Sequence, residues 1–123
     1  MQQPVFLTES YLKFPFVYPP EFNRIVELGL INFKPWEILL DDRVLGRYEG
    51  LKKRYPKRKL IPFAQRRDCD DVACWDLKNE NKLVIIHDYA SVGYELVHEY
   101  NTFWDWFRDA MEDMIEFSSE DIE

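Results

Sequence analysis

Residues 59–100 read KLIPFAQRRDCDDVACWDLKNENKLVIIHDYASVGYELVHEY, and this stretch decides the fold. Four runs rich in β-branched, aromatic and aliphatic residues lie within it: Lys59–Arg66, Val72–Leu77, Lys82–Asp88 and Tyr94–Tyr100. Short polar links separate them: the acidic Asp68–Asp71, then Lys78–Asn81, then Tyr89–Gly93. Runs of this length are strands, and links this short join antiparallel neighbours, so the stretch predicts an antiparallel meander. Pairing Leu77 near Lys82 and Asp88 near Tyr94 sorts the side chains by their alternation. Ala73, Trp75, Leu77, Val84, Ile86, Tyr94 and Leu96 then make a core face. Val72, Cys74, Asp76, Leu83, Ile85, His87, Glu95, Val97 and Glu99 make a mixed, partly wet one.

Helices are predicted on both sides of the meander. Downstream, Asn101 or Thr102 caps a helix with Asp105 in its first turn, where the dipole favours an anion. Phe103, Phe107, Ala110, Met111, Met114 and Ile115 form its apolar stripe. Upstream, Asp41 or Asp42 caps a helix running to about Tyr55, with Val44, Leu45, Tyr48, Leu51 and Tyr55 at helical spacing. Gly46 and Gly50 weaken it by about 1 kcal/mol each relative to Ala, and could admit another backbone. Trp36–Leu40 reads as a short extended or turn segment. Pro20 opens an earlier helix carrying Phe22, Ile25, Val26, Leu28 and Gly29 on one apolar stripe. Pro4, Pro15, Pro19 and Pro20 forbid a continuous helix before that, leaving an extended lead-in with a short strand near Val5–Leu7. The expected fold is α+β: a central antiparallel meander sheet of about four or more strands, flanked by N-terminal helices and a C-terminal helix.

The chain has 123 residues, which suits one domain over 1–123. With 46% apolar and 32% charged residues it is globular in composition, and 16% aromatics fill a small core economically. No apolar run approaches the roughly 18 residues that span a bilayer. The first residues lack the charged and apolar regions of a secretory signal, so a soluble cytoplasmic protein is expected. Cys69 and Cys74 on one strand would face opposite ways, too far apart to bond, and reduced thiols are expected.

Charge is uneven. Arg43–Arg67 holds ten Lys/Arg and one acid, a balance of +9 in a chain of net charge −7. Glu95–Glu123 holds ten acids and one base, Arg108. The basic segment is either neutralised across the fold or turned to a polar partner. Leu51–Lys59, with Tyr55 among its cations, is the best candidate for nucleic acid, through phosphate contacts and base stacking. A net-acidic host argues against that use, and the polar end of a helix accounts for the same residues.

No catalytic constellation emerges. There is no phosphate loop, paired-cysteine knuckle or nucleophile elbow, and no enzyme activity, metal or cofactor is expected. In the register above His87 and His98 lie on opposite faces and would not share a metal. Asp68, Asp70 and Asp71 crowd one turn, but the turn lacks the glycine and closing glutamate of a calcium loop, so a solvated hairpin turn accounts for them better.

A resemblance adds to this reading. Leu60-Ile-Pro-Phe-Ala64, an acidic turn, Val72-Ala-Cys-Trp-Asp76, Val84-Ile-Ile-His-Asp88 and Asn101-Thr-Phe-Trp-Asp-Trp-Phe107 follow one another in an order that resembles the SUKH superfamily, the Smi/Knr-type domain. Pro20-Glu-Phe22 and Trp36 in Pro-Trp-Glu-Ile also look like the family's opening, so the similarity runs from Pro19 to Met114. The turn departs from the family pattern in having no glycine. The resemblance implies an α+β domain and, for bacterial members, an immunity protein that binds and blocks a cognate polymorphic toxin, often a nuclease. Other members are regulators or scaffolds. It implies no shared catalytic or contact residues.

The acidic exterior agrees with such a role, because a nuclease cleft is basic and would steer an acidic protein toward it. The candidate toxin-binding residues are Asp68, Asp70, Asp71, Asp76, Glu95 and Glu99 around the open sheet face. Asp105, Asp109, Glu112, Asp113 and Glu116 on the last helix complete the set. Plain solubilising charge explains each of them singly. The expected partner is a toxin domain rather than nucleic acid or membrane. The alternative is a nucleic-acid-binding or regulatory module using Arg43–Arg67.

Overall fold

Register settles which side chains meet. In the computed structural model, which describes the backbone of residues 6–122 and side chains of residues 6–118, Asp76 pairs with Lys82, Trp75 with Leu83 and Cys74 with Val84. The expected pairing of Leu77 with Lys82 is therefore off by one residue. Such a slip exchanges the two faces of one strand relative to the next. The link is longer than expected, Leu77–Asn81, and it turns through left-handed Glu80 and Asn81. Ala73, Trp75, Leu83 and Ile85 share one face, while Val72, Cys74, Val84 and Ile86 share the other.

The chain order is α1 (Glu9–Leu12), α2 (Pro20–Glu27), β1 (Asn32–Phe33), β2 (Trp36–Ile38), α3 (Asp42–Arg54), β3 (Leu60–Arg66), β4 (Asp71–Asp76), β5 (Lys82–His87), β6 (Leu96–Tyr100) and α4 (Phe103–Ile122). The six strands form one antiparallel sheet in sequential order, β1 to β6. The fold is thus the expected α+β meander, extended by the β1–β2 hairpin at one edge. That hairpin turns at a cis peptide bond between Lys34 and Pro35. In the lead-in, Thr8 caps α1, accepting a hydrogen bond from the Tyr11 backbone. Of the strand expected near Val5–Leu7, Val5 lies outside the described residues, and Phe6 and Leu7 are in no strand.

Both sheet faces are covered over β3–β5, so neither is wet. The near-continuous apolar runs of these strands are what two-sided burial demands. The first face carries an aromatic cluster. Phe63 of β3 stacks on Trp75 at 4.3 Å between ring centroids, Trp106 of α4 meets Phe63 edge-on at 5.0 Å, and Phe22 of α2 meets Trp75 at 5.5 Å. Offset and edge-on pairs of this kind add about 0.5–1.5 kcal/mol each beyond the area they bury. They fix α2 and α4 on that face. Among the described side chains of α4, Phe103, Trp106 and Ala110 are buried, and Ile115 of the expected stripe is exposed. The helix is rotated so that its largest ring, rather than Ile115, enters the core.

The second face is covered by α3, whose Val44, Tyr48 and Leu51 are buried as expected. Cys74 is fully buried beneath it and Cys69 is exposed in the β3–β4 turn; both are free thiols. Among the described residues, no helix is long and apolar enough to cross a membrane.

Candidate docking surface

The six arginines of the basic segment all reach carboxylates, whereas its four lysines have none within ion-pair distance among the described residues. Asp88, fully buried at the end of β5, is the centre of a clasp on α3. Arg54 donates through Nε and Nη2 to its two carboxylate oxygens, each at 2.6 Å, and Arg47 donates to Oδ2 at 2.8 Å. Arg54 folds back across Gly50 to get there, and a β-carbon on Gly50 would collide with its guanidinium. The glycine admits a side chain, not another backbone. Burial alone would raise the Asp88 pKa, but the hydrogen bonds from Arg54 and Arg47 prevail and hold it below its ordinary value of 3.8. Arg47 also donates to Gln65 at 2.7 Å, and Gln65 to Glu37 at 2.8 Å, with Arg43 at 3.0 Å from the same carboxylate.

A second clasp explains two of the acids expected on the surface. Arg58, just after α3, lies 2.6 Å from Glu95 and 3.5 Å from Asp76. Asp76 and Glu95 are 6% and 4% exposed, so neither is available for docking. They tie the ends of β4 and β6 to the connection after α3. Burial works against ionised Glu95, and the Arg58 hydrogen bond outweighs it, so its carboxyl lies below its ordinary value. The expectation of Asp76 and Glu95 as interface acids fails because an arginine from the basic segment reaches them first.

The other nine acids stay at the surface, and contacts link most of them. Asp88 donates its backbone N–H to the carbonyl of Asp70 at 3.0 Å, so the β3–β4 turn abuts the β5–β6 loop. Asp71 lies 2.8 Å from Nδ1 of His87 in the same place. Arg66 joins the turn to α4, 2.8 Å from Asp68 and 3.3 Å from Asp113; Trp36 Nε1 also donates to Asp113, at 3.0 Å. The Arg66 hydrogen bonds hold the Asp68 carboxyl below its usual value. Along the other side of α4, Asp109 accepts from the Tyr100 hydroxyl of β6 at 2.8 Å. Glu99 pairs with Lys82 at 3.1 Å, and Asp105 with Arg108 at 3.6 Å. Among the described residues, Asp70, Asp109, Glu112 and Glu116 have no cation within ion-pair distance.

Beside these acids lies an apolar edge that sequence reasoning misses. Tyr89, Val92 and Tyr94 of the β5–β6 loop, with Leu96 and Val97 of β6, are exposed, Tyr94 by 82%. The expectation of Tyr94 and Leu96 in the core therefore fails. The β5–β6 pairing shifts at Ile85/Ile86, leaving Val97 unpaired, and β6 is the last strand of the sheet with its outer edge unpaired in it. Tyr89 is held in the left-handed region at φ 69°, a conformation that bulky residues rarely adopt. Its N–H donates to Asp88 at 2.8 Å, and its ring lies under the Arg54 guanidinium at 4.0 Å. The buried clasp therefore presents an exposed tyrosine in a fixed pose. The legible signal is composition: the Tyr89–Gly93 link holds Tyr89 and Val92, with Tyr94 directly after it, where a plain hairpin loop would be small and polar.

The histidines also differ from expectation. His98 pairs with Ile85, two residues before His87, so both lie on one face. Among the described residues, no three of His, Cys, Asp and Glu are grouped to hold a metal ion. In Leu51–Lys59, Tyr55 is buried and its hydroxyl donates to the Ala90 carbonyl at 2.7 Å, so it cannot stack on a base.

The end of the sheet thus sets the exposed Tyr89, Val92 and Tyr94 beside the acidic β3–β4 turn, while Asp109, Glu112 and Glu116 lie on α4, the helix that covers the opposite sheet face from α3. Exposed rings beside carboxylates can bury apolar area and accept charge-assisted hydrogen bonds. No protein-family model, curated protein or solved structure matches this chain.

Proposed function

We propose that this chain is a non-catalytic binding module, a bacterial immunity protein of the SUKH type that acts in the cytoplasm. It neutralises a cognate toxin domain, of nuclease type, by covering its basic cleft. The observation that carries the reading is the exposed apolar edge of Tyr89, Val92, Tyr94, Leu96 and Val97 beside the acidic β3–β4 turn, which the Asp88–Asp70 backbone hydrogen bond holds against the β5–β6 loop, in a chain of net charge −7. An acidic surface of this kind speeds encounter with a basic cleft, and the rings supply the desolvated contacts that hold the complex. The α+β meander and the order of the Pro19–Met114 motifs support the family.

The alternative, nucleic-acid binding through Arg43–Arg67, is disfavoured by two observations: Arg47, Arg54, Arg58 and Arg66 all pair with carboxylates, and Tyr55 is buried.

The test is co-expression with any toxin domain that a gene neighbouring this one encodes. Protection of the cells and co-purification of the two proteins are expected. Both should be lost in the Tyr89→Ala/Tyr94→Ala variant and reduced in Asp109→Lys/Glu112→Lys. A chain that protects against no neighbouring toxin and retains none in a pull-down refutes the proposal.

A further inference from the structure

A second surface, made by other residues, carries the opposite charge. Between α1, the end of α3 and the start of β3 lies a cleft of about 340 Å³. Leu12, Leu51 and Leu60, with the Phe14 ring, form its apolar floor. Lys52, Lys59 and Lys78 come to its rim from three separate segments, and no carboxylate among the described residues lines it. The Lys59 ammonium sits over the Phe14 ring at 3.9 Å, and Lys52 lies 6.0 Å from the Tyr48 ring. Lys78 donates to the Lys57 carbonyl at 2.8 Å. In a chain with a surplus of acids, none of these ammonium groups has a carboxylate within ion-pair distance among the described residues. Lys53 and Lys57, both exposed, carry the positive charge past the cleft.

We propose that this cleft binds an acidic protein segment carrying one large apolar anchor residue. The anchor enters the cleft over Leu51 and Leu60. The flanking carboxylates lie against Lys52, Lys59 and Lys78, with Lys53 and Lys57 taking the ends. Charge spread over three segments fits an extended polyanion better than one small headgroup. Among polyanions, the apolar floor favours a peptide over a nucleic acid: the Phe14 face already carries the Lys59 ammonium, and Tyr48 and Tyr55 are buried, so a base would find no open ring face to stack on. Ammonium groups held over aromatic rings keep their charge available, because ring faces attract cations without neutralising them. The chain would then bind partners of opposite charge at two surfaces, a scaffold-like arrangement.

The test is fluorescence anisotropy on the full chain at low salt. The probe is a fluorescein-labelled synthetic peptide in which a central Phe-Leu pair is flanked on each side by a run of glutamates. Saturable binding is expected, weakening as salt rises. Replacing the Phe-Leu pair with alanines should weaken it several-fold. Lys52→Glu/Lys59→Glu should weaken it about tenfold or more, and the milder Lys52→Gln/Lys59→Gln should act in the same direction. Circular dichroism melts check that the variants fold. No saturable binding overturns the proposal, as does equal affinity for the alanine peptide or for a single-stranded oligonucleotide of matched charge. Indifference to both lysine pairs overturns it as well.

Discussion

Replacing Asp88 with alanine tests the central clasp. The carboxylate is fully buried and accepts three arginine hydrogen bonds and one from the Tyr89 backbone, all at 2.6–2.8 Å. Removing one partner of a buried ion pair costs roughly 3–5 kcal/mol, because the remaining charge is stranded away from water. Here the arginines keep some solvent: the Arg47 and Arg54 side chains are 19% and 28% exposed. That places the loss near the lower bound, about 3 kcal/mol. With a urea slope of about 1.5–2 kcal/mol per molar for a chain of this size, the midpoint should fall by about 1.5–2 M. Tryptophan fluorescence reads the transition well, since Trp36, Trp75 and Trp106 are buried. Arg54→Ala should share much of the loss, so the double variant should be far milder than the sum of the singles. A loss under about 1 kcal/mol for Asp88→Ala, or full additivity with Arg54→Ala, would show that the clasp behaves like an exposed pair and refute the reasoning.

Four further outcomes follow from the same structure. Asp88 and Glu95 have folded pKa values below their ordinary 3.8 and 4.5, so they stabilise the fold fully above those values and lose that contribution as pH falls through the lower folded ones; melting temperature should hold near neutrality and drop as pH falls from about 5. A methyl group on Gly46 would meet nothing within 4 Å, so Gly46→Ala should stabilise by about 0.5–1 kcal/mol in urea, whereas Gly50→Ala should lose that gain by displacing Arg54. Phe63→Ala should destabilise by about 3–5 kcal/mol, read in the same urea titration, because it empties the centre of the aromatic cluster against Trp75 and Trp106. A thiol reagent should modify Cys69 alone in the native protein and both thiols in denaturant, since Cys74 is fully buried and burial pushes its pKa well up.

The sequence by itself determined the elements. Short β-rich runs, short polar links and prolines at helix starts act locally, so β3 to β6, α2, α3 and α4 are readable from residues close together in the chain. The β1–β2 hairpin escapes because its strands are too short to show a period, and α1 because a single capped turn leaves little pattern. Only the tertiary structure decided which face each side chain took. Register depends on loop geometry, and one residue in the Leu77–Asn81 link exchanges the faces of β4 relative to β5. Only the fold, likewise, assigned the charges to partners. Arg47, Arg54 and Arg58 are paired by carboxylates 34 to 41 positions away, with Asp76 also at Arg58, and Arg66 reaches Asp113, 47 positions away, besides its neighbour Asp68; this buries Asp76, Asp88 and Glu95 and leaves Asp109, Glu112 and Glu116 at the surface. A carboxylate's own neighbours in the chain carry no information about which arginine will arrive from across the sheet, and that arrival separates a structural acid from a docking one.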